Sequence, residues 1–536
     1  MVQDPQVLDP TRDPFSGRDV TPGDLGRVHF IGIGGAGMSV LAEMLKQGGA
    51  DVCGSDMQAS ARTARLEAMG IPVRIGQAAG NVDGADTVVW STAIKPDNPE
   101  IVEARARGIR LVHRSDILAL LMSSHRAVTV AGAHGKTTTS ALLAHILSKS
   151  GQGGLADPSY AIGGSLRMAS GLVEGGHLGR GDVLVAEADE SDGSFEKYHP
   201  LIGIITNVEA DHLDHYGSPD AFRRAFVEHA RHVTGSVIIC GDDPGAREVI
   251  DRLGEDCRAG LVVYSTEAEE DFGPLPAAAG YVRIESESEA AGSGQERFVL
   301  RLPASLVGNR PSGPGGREGE GIRLPVHLSI PGLHNARNAA AAITAAVILG
   351  MEPGRAACAA EDFQGAARRF DLKGVQGSVS VVDDYAHHPT EIRALIDAAR
   401  RRYPGRRLRI LFQPHLFSRT RFFARQFAQA LSRADDVVVT AIYPAREKQE
   451  DFPDVGPQTI IRAADDADRR RFQEVDDMEE AARILADRAQ AGDVILTVGA
   501  GDVTAMAQVI LDRLAQGKNR DTADGLGAAD ERSTDR

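Results

Sequence analysis

The sequence predicts an α/β protein of three domains: a Rossmann-like N-terminal domain, a central P-loop ATPase-type α/β domain and a C-terminal Rossmann-like α/β domain. The 536 residues are too many for one hydrophobic core, since a domain usually takes roughly 100–200 residues. Apolar strand patterns alternate with helical periodicity along most of the chain. Two different glycine-rich loops, about a hundred residues apart, each follow an apolar strand.

The N-terminal domain is predicted over residues 26–123, after a disordered leader over 1–25. A strand at 27–31 precedes the first loop, Gly32-Ile33-Gly34-Gly35-Ala36-Gly37, and a helix follows it. The loop fits GxGxxG, and Asp56 ends the next strand, where a dinucleotide-binding fold keeps its ribose-binding acid. Taken alone, this pattern indicates NAD, and tight strand–helix packing without a ligand is the alternative.

The central domain is predicted over residues 124–370. A strand at 126–131 leads into the second loop, residues 132–139 (GAHGKTTT), and then a helix. Backbone N–H groups at such a helix start cradle phosphates, while Lys136 would reach the β/γ-phosphates and Thr137 would ligate Mg²⁺. The usual spacing is GxxxxGK[ST], and Val130 holds the place of its first glycine. The alternative is a glycine turn that carries a lysine by chance.

Three polar runs in this domain could contact a ligand. The acidic run, residues 187–192 (EADESD), follows a buried strand and could hold Mg²⁺, or be a solvated turn. The TN run, residues 206–214 (TNVEADHLD), could add a metal ligand, or carry a structural histidine. Asn335, in the run at 334–338, could cap a helix or bind a ligand. Residues 265–325 are predicted as β-hairpins with a loose loop at 311–321.

The C-terminal domain is predicted over residues 371–515 as another open α/β sheet, before a disordered tail over 516–536. The runs 383–389 (DDYAHHP) and 413–421 (QPHLFSRTR) each end a strand. Two strand ends rich in His, Arg and Asp indicate a site for a small zwitterion or a phosphate. Structural ion pairing is the alternative.

Composition excludes several classes of partner. The formal net charge of −16 argues against nucleic-acid or anionic-membrane surfaces, which reward basic faces. The four cysteines have no zinc or disulfide spacing, which favours a reduced, cytoplasmic compartment. The N-terminus has no apolar core typical of a signal peptide, and the longest apolar stretch, 339–351, is too short to span a bilayer.

Together these motifs resemble those of the Mur ligases, over residues 28–514. The runs that carry the resemblance are GIGGAGM at 32–38, GAHGKTTT, EADESD, TNVEADHLD, HNARN at 334–338, RRF at 368–370, DDYAHHP and QPHLFSRT. The resemblance implies a ligase that transfers the γ-phosphate of ATP to the carboxylate of UDP-N-acetylmuramate. L-alanine would then attack the acyl phosphate, in peptidoglycan precursor synthesis. The C-terminal domain would bind the amino acid.

The resemblance also assigns residues. The catalytic set would be Lys136, Glu187, His212, His388 and Arg419, with Thr137, Glu187 and His212 as the Mg²⁺ ligands. ATP would contact Gly132, Ala133, His134, Gly135, Lys136, Thr137, Thr138, Asn338, Arg369 and Asp384. The UDP-sugar would contact Gly32, Gly34, Gly35, Gly37, Met38 and Asp56.

Two departures from the family pattern bear on these expectations. Ala133 replaces a threonine in the second loop, where backbone groups do the cradling. Phe226 stands where family members that add later residues have a carbamylated lysine, which favours the alanine-adding reaction or the recycling of a murein tripeptide. The first loop is unlike that of the recycling enzymes.

Two other classes of function stay open from sequence. An NAD-dependent dehydrogenase would use the first loop and Asp56 but give Lys136 no role, and a P-loop switch protein would bind ATP without chemistry. The chain is expected to be a monomer or a homodimer.

Overall fold

The computed structural model describes residues 8–15, 17–168, 171–173, 175–254, 259–275, 280–286, 295–307, 321–445 and 447–516. Three sheets, each accompanied by helices, confirm the predicted α/β class. The chain divides into two compact units. Among the described residues, the first unit holds the first two sheets and residues 335–364, and the second unit holds the third sheet. The predicted domain boundaries stay predictions.

The first sheet is fully parallel, with strand order β3-β2-β1-β4-β5. Its strands are β1 Val28–Ile31, β2 Val52–Asp56, β3 Val73–Ile75, β4 Thr87–Trp90 and β5 Arg110–His113. Its helices are α1 Ala36–Gln47, α2 Ala61–Ala68, α3 Pro99–Ala106 and α4 Arg114–Ser123. The order reverses between β1 and β4, so the first loop, which follows β1, lies at the topological switch point where open α/β sheets bind ligands.

The second sheet contains ten strands in the order β10-β7-β11-β6-β12-β13-β14-β15-β16-β17. The strands of this sheet are β6 Arg126–Ala131, β7 Ser159–Ala161, β10 Gly176–His177, β11 Val183–Glu187, β12 Ile202–Ile205, β13 Ser236–Cys240, β14 Gly260–Ser265, β15 Gly280–Ser286, β16 Glu296–Leu302 and β17 Ile322–Leu328. A separate two-stranded sheet is formed by β8 Leu166–Met168 and β9 Gly171–Val173. The strand β6 lies between β11 and β12, parallel to both. The second loop, the acidic run and the TN run therefore leave the same edge of the sheet.

Helices lie between and after the strands of the second sheet. They are α5 Lys136–Ser150, α6 Leu213–Tyr216, α7 Pro219–His232, α8 Pro244–Leu253, α9 Glu269–Phe272, α10 Ala304–Val307, α11 Leu333–Ile348 and α12 Pro353–Glu361. The helix α11 begins at Leu333, so Asn335 lies inside its first turn and the alternative that Asn335 caps the helix is wrong. The antiparallel pair β15–β16 is a hairpin, as expected within residues 265–325. Most of the predicted loop at 311–321 lies outside the described residues.

The third sheet has the order β18-β19-β23-β20-β21-β22 and is parallel except for the antiparallel pair β18–β19. Its strands are β18 Asp371–Gln376, β19 Val379–Asp384, β20 Leu408–Phe412, β21 Asp436–Val439, β22 Phe472–Glu474 and β23 Val494–Val498. Its helices are α13 Pro389–Arg402, α14 Phe417–Phe422, α15 Ala424–Leu431, α16 Pro457–Arg462, α17 Asp466–Arg469 and α18 Met478–Arg488. A further helix covers 506–516. The rest of the predicted tail lies outside the described residues.

The prediction of a disordered leader is wrong for the part that the structure describes. Leu25 is fully buried in the core, and Phe15 and Val20 pack against the same cluster. The ammonium of Lys197 donates to the backbone carbonyl of Pro10 at 2.8 Å. Isolated apolar residues and one lysine therefore hold this segment, while residues 1–7 and 16 lie outside the described part.

None of the helices among the described residues is both long and apolar enough to cross a bilayer. Three cysteines are described, and each is a free thiol: Cys53 and Cys240 are buried and Cys358 is exposed.

A buried histidine beneath the second sheet should make stability depend on pH. His229 on α7 is fully buried, hydrogen-bonded to the Phe195 carbonyl and to Thr129 Oγ1. Burial, opposed by that carbonyl, lowers the pKa of His229 from 6.5 to about 4. The unfolded state therefore binds more protons between about pH 6.5 and 4. Stability should fall through that window as pH falls, by roughly 3 kcal/mol in total.

His229→Gln should flatten this dependence, because the amide does not titrate. The measurement is the thermal unfolding midpoint from pH 7 to pH 5, with His327→Gln at a half-exposed histidine as the control. A variant as acid-sensitive as the wild type would contradict the assignment.

Candidate functional site

The backbone of the second loop is fastened by the first two residues of the TN run. The Thr206 hydroxyl and the Asn207 amide both donate to the His134 carbonyl, at 2.6 and 2.8 Å. The Asn207 carbonyl oxygen Oδ1 in turn accepts the N–H of His134 at 3.0 Å. Gly132 has φ +136°, and a Cβ there would lie 2.1 Å from Thr206 Oγ1. Only glycine therefore allows β6 and β12 to end this close together.

The lysine of the second loop lies among carbonyls and carboxylates. The Lys136 ammonium donates to Gly132 O at 2.6 Å and to Glu190 Oε1 at 2.8 Å. Burial would lower the pKa of Lys136, but the charges of Glu190 and then Asp189 outweigh burial and hold it above its ordinary value. The lysine is therefore charged at any working pH. Glu190 has no predicted role, because the sequence alone does not show which carboxylate of the acidic run faces the lysine.

The groups around Lys136 fit a divalent cation. The Glu190 side chain is 2% exposed, and its Oε2 has no hydrogen-bond partner among the described residues. His212 Nε2 lies 3.9 Å from Glu190 Oε1. Glu187 Oε2 accepts the N–H of Gly163, and the neighbouring Gly164 lies against Thr137. Carboxylate and hydroxyl oxygens suit Mg²⁺, and a buried carboxylate oxygen without a partner is costly unless something binds it.

Asn338 of α11 lies beside the second loop. Gly135 has φ +83°, and a Cβ there would lie 2.7 Å from Asn338 Oδ1. The Asn338 amide also donates to Asn335 Oδ1 at 3.4 Å. The structure thus brings Asn338 next to Gly135 and Lys136. It also places Ala133 and Thr138 in the same loop and helix start, although their assigned contacts stay predictions.

The first loop is shaped by Asp56, which was predicted to contact the UDP-sugar. Asp56 Oδ2 accepts the N–H of Gly34 at 2.9 Å, and a Cβ on Gly34 would lie 2.9 Å from the same oxygen. Gly32 has φ +73°. The Met38 side chain is buried in the core, so any contact that Met38 makes with a substrate would come from its backbone. Gly35 is the N-cap of α1, and its N–H donates to the Gly32 carbonyl at 3.0 Å. Gly37 lies in the first turn, where N–H groups have no partner within the helix.

Arg114, the first residue of α4, was not predicted as a site residue. Its Nη2 donates to Asp189 Oδ2 in the acidic run at 2.6 Å, and its Nη1 faces Gly37. A cation between the two glycine loops is a long-range feature, for which no sequence pattern near residue 114 gave any indication.

The predicted residues of the second unit gather at the ends of β19 and β20. Asp384 accepts the N–H groups of Phe370 and Ala386, at 2.7 and 2.8 Å. Burial raises the pKa of Asp384 to about 6, against the opposing charge of Arg369. The guanidinium of Arg369 lies 5.2 Å from the centre of the Tyr385 ring. Asp384 therefore shapes the local backbone.

His388 and Arg419 are both buried in the second unit. His388 is the N-cap of α13, and its ring meets Phe423 edge-on at 4.6 Å. Arg419 Nη1 lies 3.4 Å from His415 Nδ1. The His415 ring stacks on Tyr443 and meets His387 edge-on at 5.8 Å. Imidazoles and a guanidinium thus cluster at these strand ends, where an anionic group could bind.

Phe226 lies in a setting that only an apolar side chain suits. Its ring is fully buried on α7, 5.1 Å from the centres of both the Phe195 and Phe222 rings. This position therefore contributes to the core and offers no ligand to a metal or phosphate.

Comparisons with known proteins cover nearly the whole chain. Residues 27–126 match the family model described as "Mur ligase family, catalytic domain", residues 130–346 match "Mur ligase middle domain", and residues 368–501 match "Mur ligase, glutamate ligase domain". The UDP-N-acetylmuramate–L-alanine ligase of Bifidobacterium adolescentis is 59% identical, over 95% of this chain and 96% of that protein. The enzyme of the same name from Paenarthrobacter aurescens is 44% identical, over 91% and 97%.

A solved structure agrees with the sequence relatives. The crystal structure of UDP-N-acetylmuramate–alanine ligase from Thermotoga maritima superposes with a TM-score of 0.70 at 29% identity. The match covers 92% of this chain and 99% of that one.

The close approach at Gly132 can be tested with a matched pair of glycines. Gly132→Ala should lower the thermal midpoint and abolish the increase in that midpoint that a non-hydrolysable ATP analogue gives, because the new methyl group separates the second loop from Thr206. Gly49 also has positive φ but open space around it, so Gly49→Ala incurs only the backbone cost of about 1 kcal/mol. Equal effects of the two substitutions would show that the contact does not matter.

Proposed function

This chain belongs to the Mur ligase family, and we propose that it joins L-alanine to the carboxylate of UDP-N-acetylmuramate at the expense of ATP. The observation that carries the proposal is the 59% identity to a UDP-N-acetylmuramate–L-alanine ligase over 95% of this chain. The reaction supplies a peptidoglycan precursor, and we propose that it takes place in the cytoplasm. Membership of a ligase family overturns the dehydrogenase and the switch protein as alternatives.

The reaction proceeds in two steps of group transfer. A carboxylate is a poor acyl donor, so its oxygen first attacks the γ-phosphorus of ATP, and the bond to the β-phosphate oxygen breaks to release ADP. The amine of L-alanine then attacks the carbonyl carbon of the acyl phosphate. The phosphate leaves with the C–O electron pair, and the amine loses its proton.

Lys136 supplies the main charge at the phosphoryl group. In the structure its ammonium is held between Gly132 O and Glu190, at the start of α5 and beside outward N–H groups. A bound γ-phosphate would replace these partners and meet a cation that is already oriented. Such preorganised donors stabilise the charge that develops during transfer.

Mg²⁺ fits the oxygen groups next to the second loop. Thr137 and Glu187 would hold one ion, and His212 would contribute to a second, with Glu190 Oε2 as a further buried oxygen nearby. When bound, Mg²⁺ neutralises charge on the phosphate oxygens. Asn338, beside Gly135, would contact the adenine.

The remaining substrates are assigned to the first loop and to the second unit. The first loop follows β1 at the switch point of the first sheet. The N–H groups of residues 32–35 donate within the fold, so the diphosphate of the UDP-sugar would lie on those of the first turn of α1. In the second unit, His388 and Arg419 are proposed to act at the alanine and the acyl phosphate, and Arg369 and Asp384 to contact ATP.

The direct test is phosphate release with a panel of UDP-sugars and amino acids. Release should require ATP, UDP-N-acetylmuramate and L-alanine together, and hydroxylamine should trap an acyl hydroxamate when the amino acid is omitted. ATP turnover that ignores the amino acid would refute the proposal. Preference for murein tripeptide over L-alanine would instead indicate the recycling reaction.

Removing the cation of the second loop should abolish turnover. Lys136→Ala should lower kcat by roughly two to three orders of magnitude, because a transition-state charge contact is lost. The control is Lys149→Ala at the far end of the same helix, where the lysine pairs with Asp362 on the surface. Near-normal kcat in Lys136→Ala would show that the phosphate site lies elsewhere.

A further inference from the structure

Arg114 lies between the end of the first loop and the acidic run. It is the first residue of α4, the helix that leads from the edge strand β5 of the first sheet to β6 of the second. Its side chain is 18% exposed, so it is held by protein but can be reached by a ligand.

The two ends of the guanidinium face different elements. Nη2 donates to Asp189 Oδ2 at 2.6 Å and lies 3.8 Å from Asp192 Oδ2. Nη1 faces α1, where a Cβ built on Gly37 would lie 3.4 Å away. Both acidic contacts use Nη2, so Nη1 lies over the first turn of the helix that follows the first loop.

Asp189 fixes the guanidinium and connects it to the second loop. Burial would raise the pKa of Asp189, yet Arg114 and then Lys136 hold it well below its usual range. The next residue, Glu190, pairs with Lys136. Two neighbouring carboxylates of the acidic run, Asp189 and Glu190, thus pair with Arg114 and Lys136, respectively.

We propose that Arg114 binds the diphosphate of the nucleotide-sugar through Nη1, and that Asp189 is the residue that positions it. The inference rests on the proposed function, which places that diphosphate on the first loop. An anion at the N–H groups of the first turn of α1 would meet both the positive end of the helix and a cation with a fixed orientation. The planar guanidinium can hold Asp189 and a phosphate oxygen at once, which a lysine could not do with the same geometry.

The binding test uses UDP and UDP-N-acetylmuramate in isothermal titration calorimetry. Arg114→Gln should weaken both roughly 10- to 100-fold, because a charge-assisted hydrogen bond is lost. The control is Arg107→Gln, at a surface arginine that follows α3 and pairs with Asp83 and Glu103, and this variant should bind both ligands as the wild type does. Wild-type affinity in Arg114→Gln would overturn the proposal.

A kinetic readout separates binding from a merely structural role. The KM for UDP-N-acetylmuramate should rise in Arg114→Gln, while the KM for L-alanine stays within about twofold. If Arg114→Gln does not fold, Arg114→Lys decides, because it keeps the charge but loses the second N–H group. It should bind UDP at least about fivefold more weakly, and equal binding would refute the role.

The positioning by Asp189 calls for a double-mutant cycle. Asp189→Asn should weaken UDP binding in the wild-type background and have no further effect in Arg114→Gln. Additive losses would overturn the positioning role. A wild-type protein that binds no UDP-N-acetylmuramate would refute the proposed function itself, whereas wild-type binding that is insensitive to residue 114 would refute the role of Arg114 alone.

Discussion

The half-buried ammonium of Lys136 requires compensating charges, and several elements of the first unit supply them. A charge in this environment is stable only with a partner, and Glu190 supplies it from the end of β11. The acidic run that carries Glu190 then needs its own compensation, which Arg114 provides from α4. A second ion pair, between Asp116 on α4 and Lys197, connects the same helix to the segment that follows the acidic run. The surroundings of Lys136 and the connection between the first two sheets therefore share one set of charges.

Much of the fold could be predicted because its strands are buried on both faces. The strand β6 was predicted with its observed bounds, since an apolar run ends there at the second loop. The contacts of residues 8–25 could not be predicted, because Phe15 and Leu25 stand alone among polar residues and show no period. Contacts that depend on distant parts of the chain leave no such pattern.

The candidate site likewise combines local features, which could be predicted from sequence, with long-range contacts, which could not. Gly132, Lys136 and Thr137 belong to one local motif, and their loop geometry follows from a strand, a turn and a helix in sequence order. The choice of Glu190 as the lysine's partner depends on which carboxylate of the acidic run points to the start of α5. Arg114 and Asp189 are 75 residues apart, so their pairing arises only when two sheets are packed together. The local loop geometry could therefore be predicted from sequence, and the long-range ion pairs around it could not.

The first loop shows why a fingerprint reports a backbone shape more reliably than a ligand. In a dinucleotide-binding fold the acid after the second strand binds a ribose hydroxyl. Here one carboxylate oxygen of Asp56 accepts a hydrogen bond from the N–H of Gly34, which belongs to the loop itself. That bond holds the turn whatever lies above it, so the same glycines and the same acid are compatible with several nucleotides. The ligand therefore depends also on the groups that face the loop. In this chain the guanidinium of Arg114 faces Gly37 and pairs with Asp189, which is next to Glu190, the partner of Lys136.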